Sequence, residues 1–270
     1  GEFSDKIEEV QLQNLSDSQI EENQVKELNR LSVSYNKMLE RLSEAFKIQR
    51  QFTENAAHEL RTPLSLMQIQ LDLYNSGKHP GNDADTIQTI KMVTEQNERL
   101  SKMVKTLLDM SELQTVGRDE TIIVNALIDE VLADLEPLAQ EKNIKLIGKC
   151  KDVNMVGSDI LIYRLVYNLV ENAIKYNHSG GQVIVEAYQK EKQVYLSVED
   201  TGSGIPEELK ERVFEPFFRV DKSRSRELGG VGLGLALVNE IVRVHDGSIA
   251  IRPNPSGGTI IEVQFAVSRT

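Results

Sequence analysis

Cysteine is almost missing from this chain. Its 270 residues include one, Cys150, which excludes an internal disulfide framework and fits a reducing compartment. Basic charge is in deficit too: 31 Lys and Arg stand against 42 Asp and Glu, a net charge of −11, and the pI is near 5.0. That balance disfavours nucleic acid as a general partner, and none is expected. No apolar run approaches the roughly 18 residues that span a bilayer, and no signal peptide is visible. No membrane contact is therefore expected of this fragment. What is present is a hydrophobic content of 40%, enough at this length for about two domains. The opening Gly1-Glu2-Phe3 reads as a cloning remnant, so the natural protein is expected to extend further upstream.

Residues 4 to 24 are polar and acidic, with scattered Ile7, Val10, Leu12, Leu15 and Ile20, and read as a partly ordered lead-in. From Leu28 a seam begins, Leu28, Leu31, Tyr35, Met38, Leu42 and Ala45, at alternating spacings of three and four. That spacing predicts a helix packed in a coiled coil. The seam runs on through Gln49 and Phe52, past Leu64, Met67 and Leu71, until the glycine- and proline-bearing stretch Asn75–Asp83 breaks it. A second amphipathic helix follows, with Ile90, Val93, Asn97, Leu100, Val104, Leu107 and Ser111 on one stripe. Such a helical hairpin has too much apolar surface to stand alone. Two copies make a four-helix bundle, so a homodimer is the simplest solution.

Within the first helix, Phe52 to Leu64 sets an imidazole and a carboxylate side by side at His58 and Glu59, with Pro63 five residues after the histidine. Glu54, His58 and Arg61 share one wet face, while Phe52, Ala56 and Leu60 fall on another. A solvent-facing histidine can act as nucleophile, metal ligand or proton carrier, or have no role. Pro63 removes one helical hydrogen bond and disfavours helical geometry at Thr62. The amphipathic pattern on both sides predicts a kink that can act as a hinge rather than a helix end.

Near Thr115–Glu120 the pattern changes to short strands and separate helices, which sets a domain boundary. Thr121–Val124 reads as a strand, and Asn125 as the cap of a helix reaching about Lys142. Ile144–Ile147 and Val153–Val156 read as short strands, and Ile160–Tyr176 as an apolar helix. Val183–Tyr188 and Val194–Val198 pair around a turn at Gln189–Gln193. Leu235–His245 is a helix, and Ser248–Ile251 with Thr259–Val267 closes an antiparallel sheet. The fold class is α+β: a dimeric helical hairpin followed by a two-layer α/β sandwich.

Four separated elements of the second domain coincide. Asn168, Glu171, Asn172 and Lys175 form a polar stripe on an otherwise apolar helix. Amide oxygens and a carboxylate are hard donors suited to Mg2+, and Lys175 can meet phosphate charge, with Tyr176 beside it. Asp200-Thr201-Gly202-Ser203-Gly204 follows a strand. Its carboxylate can accept from an exocyclic amino group such as that of adenine, and Gly202 and Gly204 let backbone approach a flat ring. Gly230-Val231-Gly232-Leu233-Gly234 opens a helix, freeing backbone N–H groups for phosphate. Between them lie Phe214, Phe217 and Phe218, then Arg219, Lys222, Arg224 and Arg226, a basic run suited to a lid over a triphosphate. The G-x-x-x-x-G-K-[ST] loop and the Rossmann fingerprint are both absent.

As an ordered set these motifs resemble the cytoplasmic part of a bacterial two-component sensor histidine kinase, over about residues 45 to 267. His58-Glu59-Leu60-Arg61-Thr62-Pro63-Leu64 matches that family's H box and Asn168–Tyr176 its N box. Asp200–Gly204 matches the first glycine box, Phe214–Arg219 the F box, and Gly230–Leu235 the second glycine box. Leu28–Leu42 is similar to the second helix of a HAMP signal-relay module. One departure is Val231, where many relatives carry threonine; the backbone donors remain.

The resemblance implies three regions: residues 1–44 as lead-in and HAMP-like helix, 45–115 as dimerisation and phosphotransfer hairpin, and 116–270 as the ATP-binding domain. It implies autophosphorylation of His58 from ATP, then transfer to an aspartate on the receiver domain of a response regulator. In its terms Glu59 takes up the imidazole proton and Arg219 stabilises the departing phosphoryl group. Thr62 positions water for dephosphorylating the regulator. Asn172, assisted by Asn168, holds Mg2+. Asp200 fixes adenine, and Lys175, Tyr176, Gly202, Gly204, Gly230, Gly232, Leu233 and Gly234 complete the nucleotide site. The parent protein is expected to be anchored in the bacterial membrane with this part facing the cytoplasm. Two rivals stay open: an ATPase of the wider fold shared with chaperones, type II topoisomerases and mismatch-repair proteins, and a scaffold that binds nucleotide without catalysis.

Overall fold

Long uninterrupted periodicity becomes long helix. The computed structural model describes residues 26–75, 83–113, 115–220 and 230–267. The expected lead-in at 4–24, the interior of the predicted turn, and Lys222, Arg224 and Arg226 lie outside the described residues. Helix α1 runs Lys26–Asn75 as one element of 50 residues with Pro63 inside it, so Pro63 does not end the helix. Helix α2 spans Asp83–Glu112. Contacts divide the chain into two compact units, residues 1–62 and residues 63–270. In the first, exposed side chains of α1 exchange local bonds one turn apart, such as Arg50 Nε to Glu54 Oε1 at 2.9 Å. Leu31, Met38 and Leu42 of the predicted seam stand exposed.

The second unit holds α2 and the α/β layers. In chain order the latter are β1 (Glu120–Ile123), α3 (Val124–Glu141), β2 (Lys145–Cys150), β3 (Asn154–Gly157) and α4 (Asp159–Lys175). Then come β4 (Gln182–Lys190), β5 (Gln193–Asp200), α5 (Gly234–Val244), β6 (Ser248–Pro253) and β7 (Thr259–Ala266). Five strands form one sheet in the order β2-β4-β5-β7-β6, and β1 pairs with β3 apart from it. The sheet is mixed, not purely antiparallel: β2 and β4 run parallel, with Gly148 opposite Val185. Parallel neighbours need a crossover, and α4 lies in the chain between these two strands. The predicted cap at Asn125 is also corrected. The N-cap is Ile123, without a side-chain cap, and Asn125 instead donates from Nδ2 to Asp152 Oδ1 at 3.3 Å.

Alternation sends one row of each strand inward. Val185 lies opposite Val198 and Val198 opposite Ile261, and all three are buried against Leu165 and Leu169 of α4 and Val238 and Ile241 of α5 in one core. Burying one such side chain stabilises by about 1.5–3 kcal/mol, so the sandwich holds the inner faces of α4 and α5 firmly. Their polar edges are thereby fixed. His245 ties the layers together at the far end of α5: its Nε2 accepts from the Ser158 N–H at 3.1 Å, and its Nδ1 lies 2.8 Å from the Ile241 carbonyl. No described helix is long and apolar enough to cross a membrane.

Candidate functional site

The polar edge of α4, the end of β5 and the start of α5 converge on one cavity of about 360 Å³. Asn168, Asn172, Lys175 and Tyr176 line it from α4 and its end, Asp200 and Gly204 from β5 and the turn beyond. Arg219, Gly230, Gly232, Leu233 and Gly234 line the side nearest α5. Among the described residues that the resemblance assigns to the nucleotide site, only Gly202 is absent from the wall.

Gly202 acts from behind. A Cβ there would meet the Tyr176 carbonyl oxygen at 2.4 Å, and the Ser203 N–H donates to that same oxygen at 3.2 Å. The Gly202 N–H donates to Asp200 Oδ1 at 2.7 Å, joined by the Thr259 N–H at 3.4 Å. Asn254 Nδ2 fixes the Asp200 carbonyl at 2.8 Å. Burial pushes the Asp200 carboxyl above its ordinary value, against the pull of the Gly202 and Thr259 N–H groups. A carboxylate held this way is oriented and poorly hydrated, which suits it to accept from a ligand donor.

The second glycine stretch serves close packing as well as open backbone. Gly232 has φ 78, and a Cβ there would meet the Phe218 carbonyl oxygen at 2.7 Å. Phe217 itself has φ 65, and its N–H donates to the Gly232 carbonyl at 2.8 Å. Arg219 Nη2 donates to the Val231 carbonyl at 3.2 Å. The phenylalanine segment is thus laced onto the glycine stretch, with the Arg212 guanidinium 4.5 Å over the Phe218 ring. Asn168 donates from Nδ2 to the Arg164 carbonyl at 2.7 Å, which turns its Oδ1 toward α5. A Cβ on Gly234 would meet that oxygen at 2.9 Å and Asn172 Nδ2 at 3.6 Å. Gly234 is small so that both amides can crowd the helix start.

Glu171 departs from the sequence reading. It is 8% exposed and lies between two ammonium groups, Lys102 Nζ at 2.5 Å from Oε1 and Lys175 Nζ at 2.9 Å from Oε2. Burial pushes its carboxyl up, but Lys175 and Lys102 outweigh that and hold it below its ordinary value. Burial lowers the Lys175 ammonium against the pull of Glu171. For Lys102 the Glu171 contact outweighs burial and raises it. The carboxylate is therefore committed to lysines and is not offered to a metal. No group of three or more His, Cys, Asp or Glu among the described residues can hold an ion. The donor set that fits Mg2+ is the pair of amides, since Mg2+ takes few protein oxygens and keeps its waters. Lys102 and Thr106, both from α2, line the cavity and were not foreseen. A lysine on a helix reads as solvated face, and nothing in its spacing distinguishes it.

His58, Glu59 and Thr62 lie on α1 in the first unit. His58 is exposed with Glu54 and Arg61, while Phe52, Ala56 and Leu60 are half-buried, as the two-faced pattern predicts. Glu59 is half-buried, and the Thr62 hydroxyl donates to the His58 carbonyl at 3.1 Å.

Two family models cover most of this ground. The His Kinase A (phospho-acceptor) domain matches residues 48–116, and the histidine kinase-, DNA gyrase B- and HSP90-like ATPase matches residues 157–269. The chain belongs to the sensor histidine kinases. Among relatives, the signal transduction histidine-protein kinase ArlS of Staphylococcus aureus (strain USA300) is 33% identical over 248 residues, 88% of this chain and 53% of that protein. The chain thus spans about half the length of the curated relatives it matches. Histidine kinase ThkA, solved in complex with response regulator protein TrrA, is 25% identical with TM-score 0.68, covering 91% of this chain and 68% of that one. Acinetobacter baumannii histidine kinase AdeS, at 24% identity and TM-score 0.64, covers 78% of this chain and 98% of its own, and shares the fold.

Proposed function

We propose that this chain transfers the terminal phosphoryl group of ATP to His58 and then to an aspartate on a response-regulator receiver domain. The observation that carries the reading is one cavity gathering Asn168, Asn172, Asp200 and the Gly230–Gly234 stretch in a chain whose phospho-acceptor match contains an exposed His58. A neutral imidazole nitrogen attacks phosphorus, the bond to the ADP oxygen breaks, and the proton leaving the other ring nitrogen passes to Glu59. Asp200 accepts from the adenine amino group. The backbone N–H groups at the start of α5 meet phosphate oxygens with Lys175, and Tyr176 closes the wall. Arg219 stabilises charge on the departing group. Asn172, assisted by Asn168, would hold Mg2+, which neutralises triphosphate charge when bound.

In the reverse direction of signalling, Thr62 orients water for dephosphorylating the regulator. Its hydroxyl proton goes to the His58 carbonyl, leaving oxygen lone pairs to accept from water. The open apolar stripes of α1 and α2 support a homodimer built as a four-helix bundle. Residues 1–44 are assigned as lead-in and HAMP-like relay helix, 45–115 as dimerisation and phosphotransfer hairpin, and 116–270 as ATP-binding domain. Family resemblance supports a membrane-anchored parent protein with this part on the cytoplasmic side. Incubation with γ-labelled ATP tests the reading: the expected label is acid-labile, base-stable and lost in His58→Gln. ATP hydrolysis with no labelled protein would sink it.

A further inference from the structure

Three cations line the described cavity, Lys102, Lys175 and Arg219, and one of them comes from outside the α/β layers. We propose that Lys102, supplied by α2, is a phosphate-binding residue of the nucleotide site. It is paired to Glu171 when the cavity is empty of polyphosphate and turns to phosphate oxygens when one enters. The inference rests on the ATP-site reading above.

The charge count motivates it. Glu171 needs one positive partner to be tolerated where it is buried, and it has two, at 2.5 and 2.9 Å. Removing both would strand a buried carboxylate, so one lysine must stay. The other is surplus, and the cluster presents a net positive charge to the cavity. Geometry says which lysine is free to leave. Lys175 lies one turn after Glu171 on the same helix, its side chain 17% exposed, and keeps its pairing whatever α2 does. Lys102 reaches across from another helix with its side chain 53% exposed, on a flexible stem ending in a compact ammonium.

Lys102 is nevertheless delivered to a fixed position. Seven residues on, Asp109 Oδ1 pairs with Arg164 Nη1 at 2.9 Å. Leu113 lies in the α/β core, and Met110 packs against it. These contacts pin the stripe of α2 that carries Lys102 beside the Asn168–Asn172 edge, where phosphate charge would accumulate. The ligand class is a nucleoside polyphosphate. Adenosine, carrying no phosphate, has no use for the residue.

Calorimetry on the full chain with Mg-ATP and with adenosine as probes tests this in four proteins: the parent, Lys102→Gln, Glu171→Gln and the double variant. Lys102→Gln should weaken ATP about tenfold, the lower end for a charge-assisted contact from a half-exposed lysine, and leave adenosine unchanged. The same loss should persist when Lys102→Gln is added to Glu171→Gln, a background with no carboxylate to strand. Unchanged ATP affinity in Lys102→Gln overturns the inference. So does disappearance of the effect in the Glu171→Gln background, which would mean that Lys102 acts only through Glu171. A parent chain binding neither probe removes the ATP-site reading itself.

Discussion

At the scale of single residues, Asp200 is the clearest case of stability given up for a site. Its carboxyl is raised by burial despite two N–H donors. A group whose folded pKa lies above its unfolded value contributes stability only below the unfolded value, and loses it as pH rises through the folded one. At neutral pH the buried carboxylate is a net cost. Asp200→Asn keeps an oxygen for the Gly202 and Thr259 N–H groups and removes the charge. The expected outcome in thermal unfolding is a melting temperature at least equal to the parent's at pH 7, the gap in the variant's favour shrinking as pH falls through the carboxyl range. ATP affinity should fall by about 10- to 100-fold, as expected for a lost charged hydrogen bond. A variant that melts well below the parent would recast Asp200 as structural. Residues of this kind were legible in the sequence because their motifs are ordered and dense in glycine. The reasons behind the glycines were not. Gly232 and Gly234 are small because the Phe218 carbonyl and the Asn168 amide press on them, contacts between segments far apart in the chain. Lys102 left no trace, since its partner Glu171 is 69 residues away.

Elements were read more securely than their pairings. Apolar content gave α4 as Ile160–Tyr176 against Asp159–Lys175 observed, and the glycine stretch before it gave α5 as Leu235–His245 against Gly234–Val244. Alternation identifies a strand but not its neighbour, which is why the parallel β2–β4 pair was missed: it joins strands separated by α4. Pro63 shows the same limit within one helix. Its effect on the backbone follows from chemistry, whereas the division of the chain at Thr62 and Pro63 emerges only in three dimensions. An N–H missing from one turn makes α1 easier to bend there, one turn beyond His58. Pro63→Ala should therefore leave ATP affinity within about twofold while shifting the ratio of autokinase to regulator-phosphatase rates, for replacing an interior helix proline by alanine alters propensity by about 3 kcal/mol. The two rates, measured on one preparation with a cognate receiver domain, decide the matter. If neither moves, Pro63 is not a hinge.

For the whole molecule, α2 must serve two neighbours at once, and its sequence is divided accordingly. Lys102, Met103, Thr106, Asp109, Met110 and Leu113 fall on one side of the helix. Met103 and Leu113 there are buried, and Lys102 and Asp109 are ion-paired to α4. Ile87, Ile90, Val104 and Leu108 fall on the other side and are open, Ile90 60% and Leu108 56% exposed. Apolar side chains repeated along one face of a long helix are costly in water and mark an interface. In the homodimer proposed above, a second copy of the same hairpin would supply a matching face, with closed two-fold symmetry. This separation makes assembly and nucleotide binding independently breakable. Ile90→Glu combined with Leu108→Glu puts charge into the open stripe and touches nothing on the cavity side. The parent should sediment as two chains and the variant as one, with ATP affinity kept within about twofold because no charged contact of the site is lost. A monomeric parent, or a variant that remains dimeric, would show that the open stripe is not the dimer interface. Loss of ATP binding in a monomeric variant would show instead that the two faces of α2 are energetically coupled, and that the cavity depends on the partner.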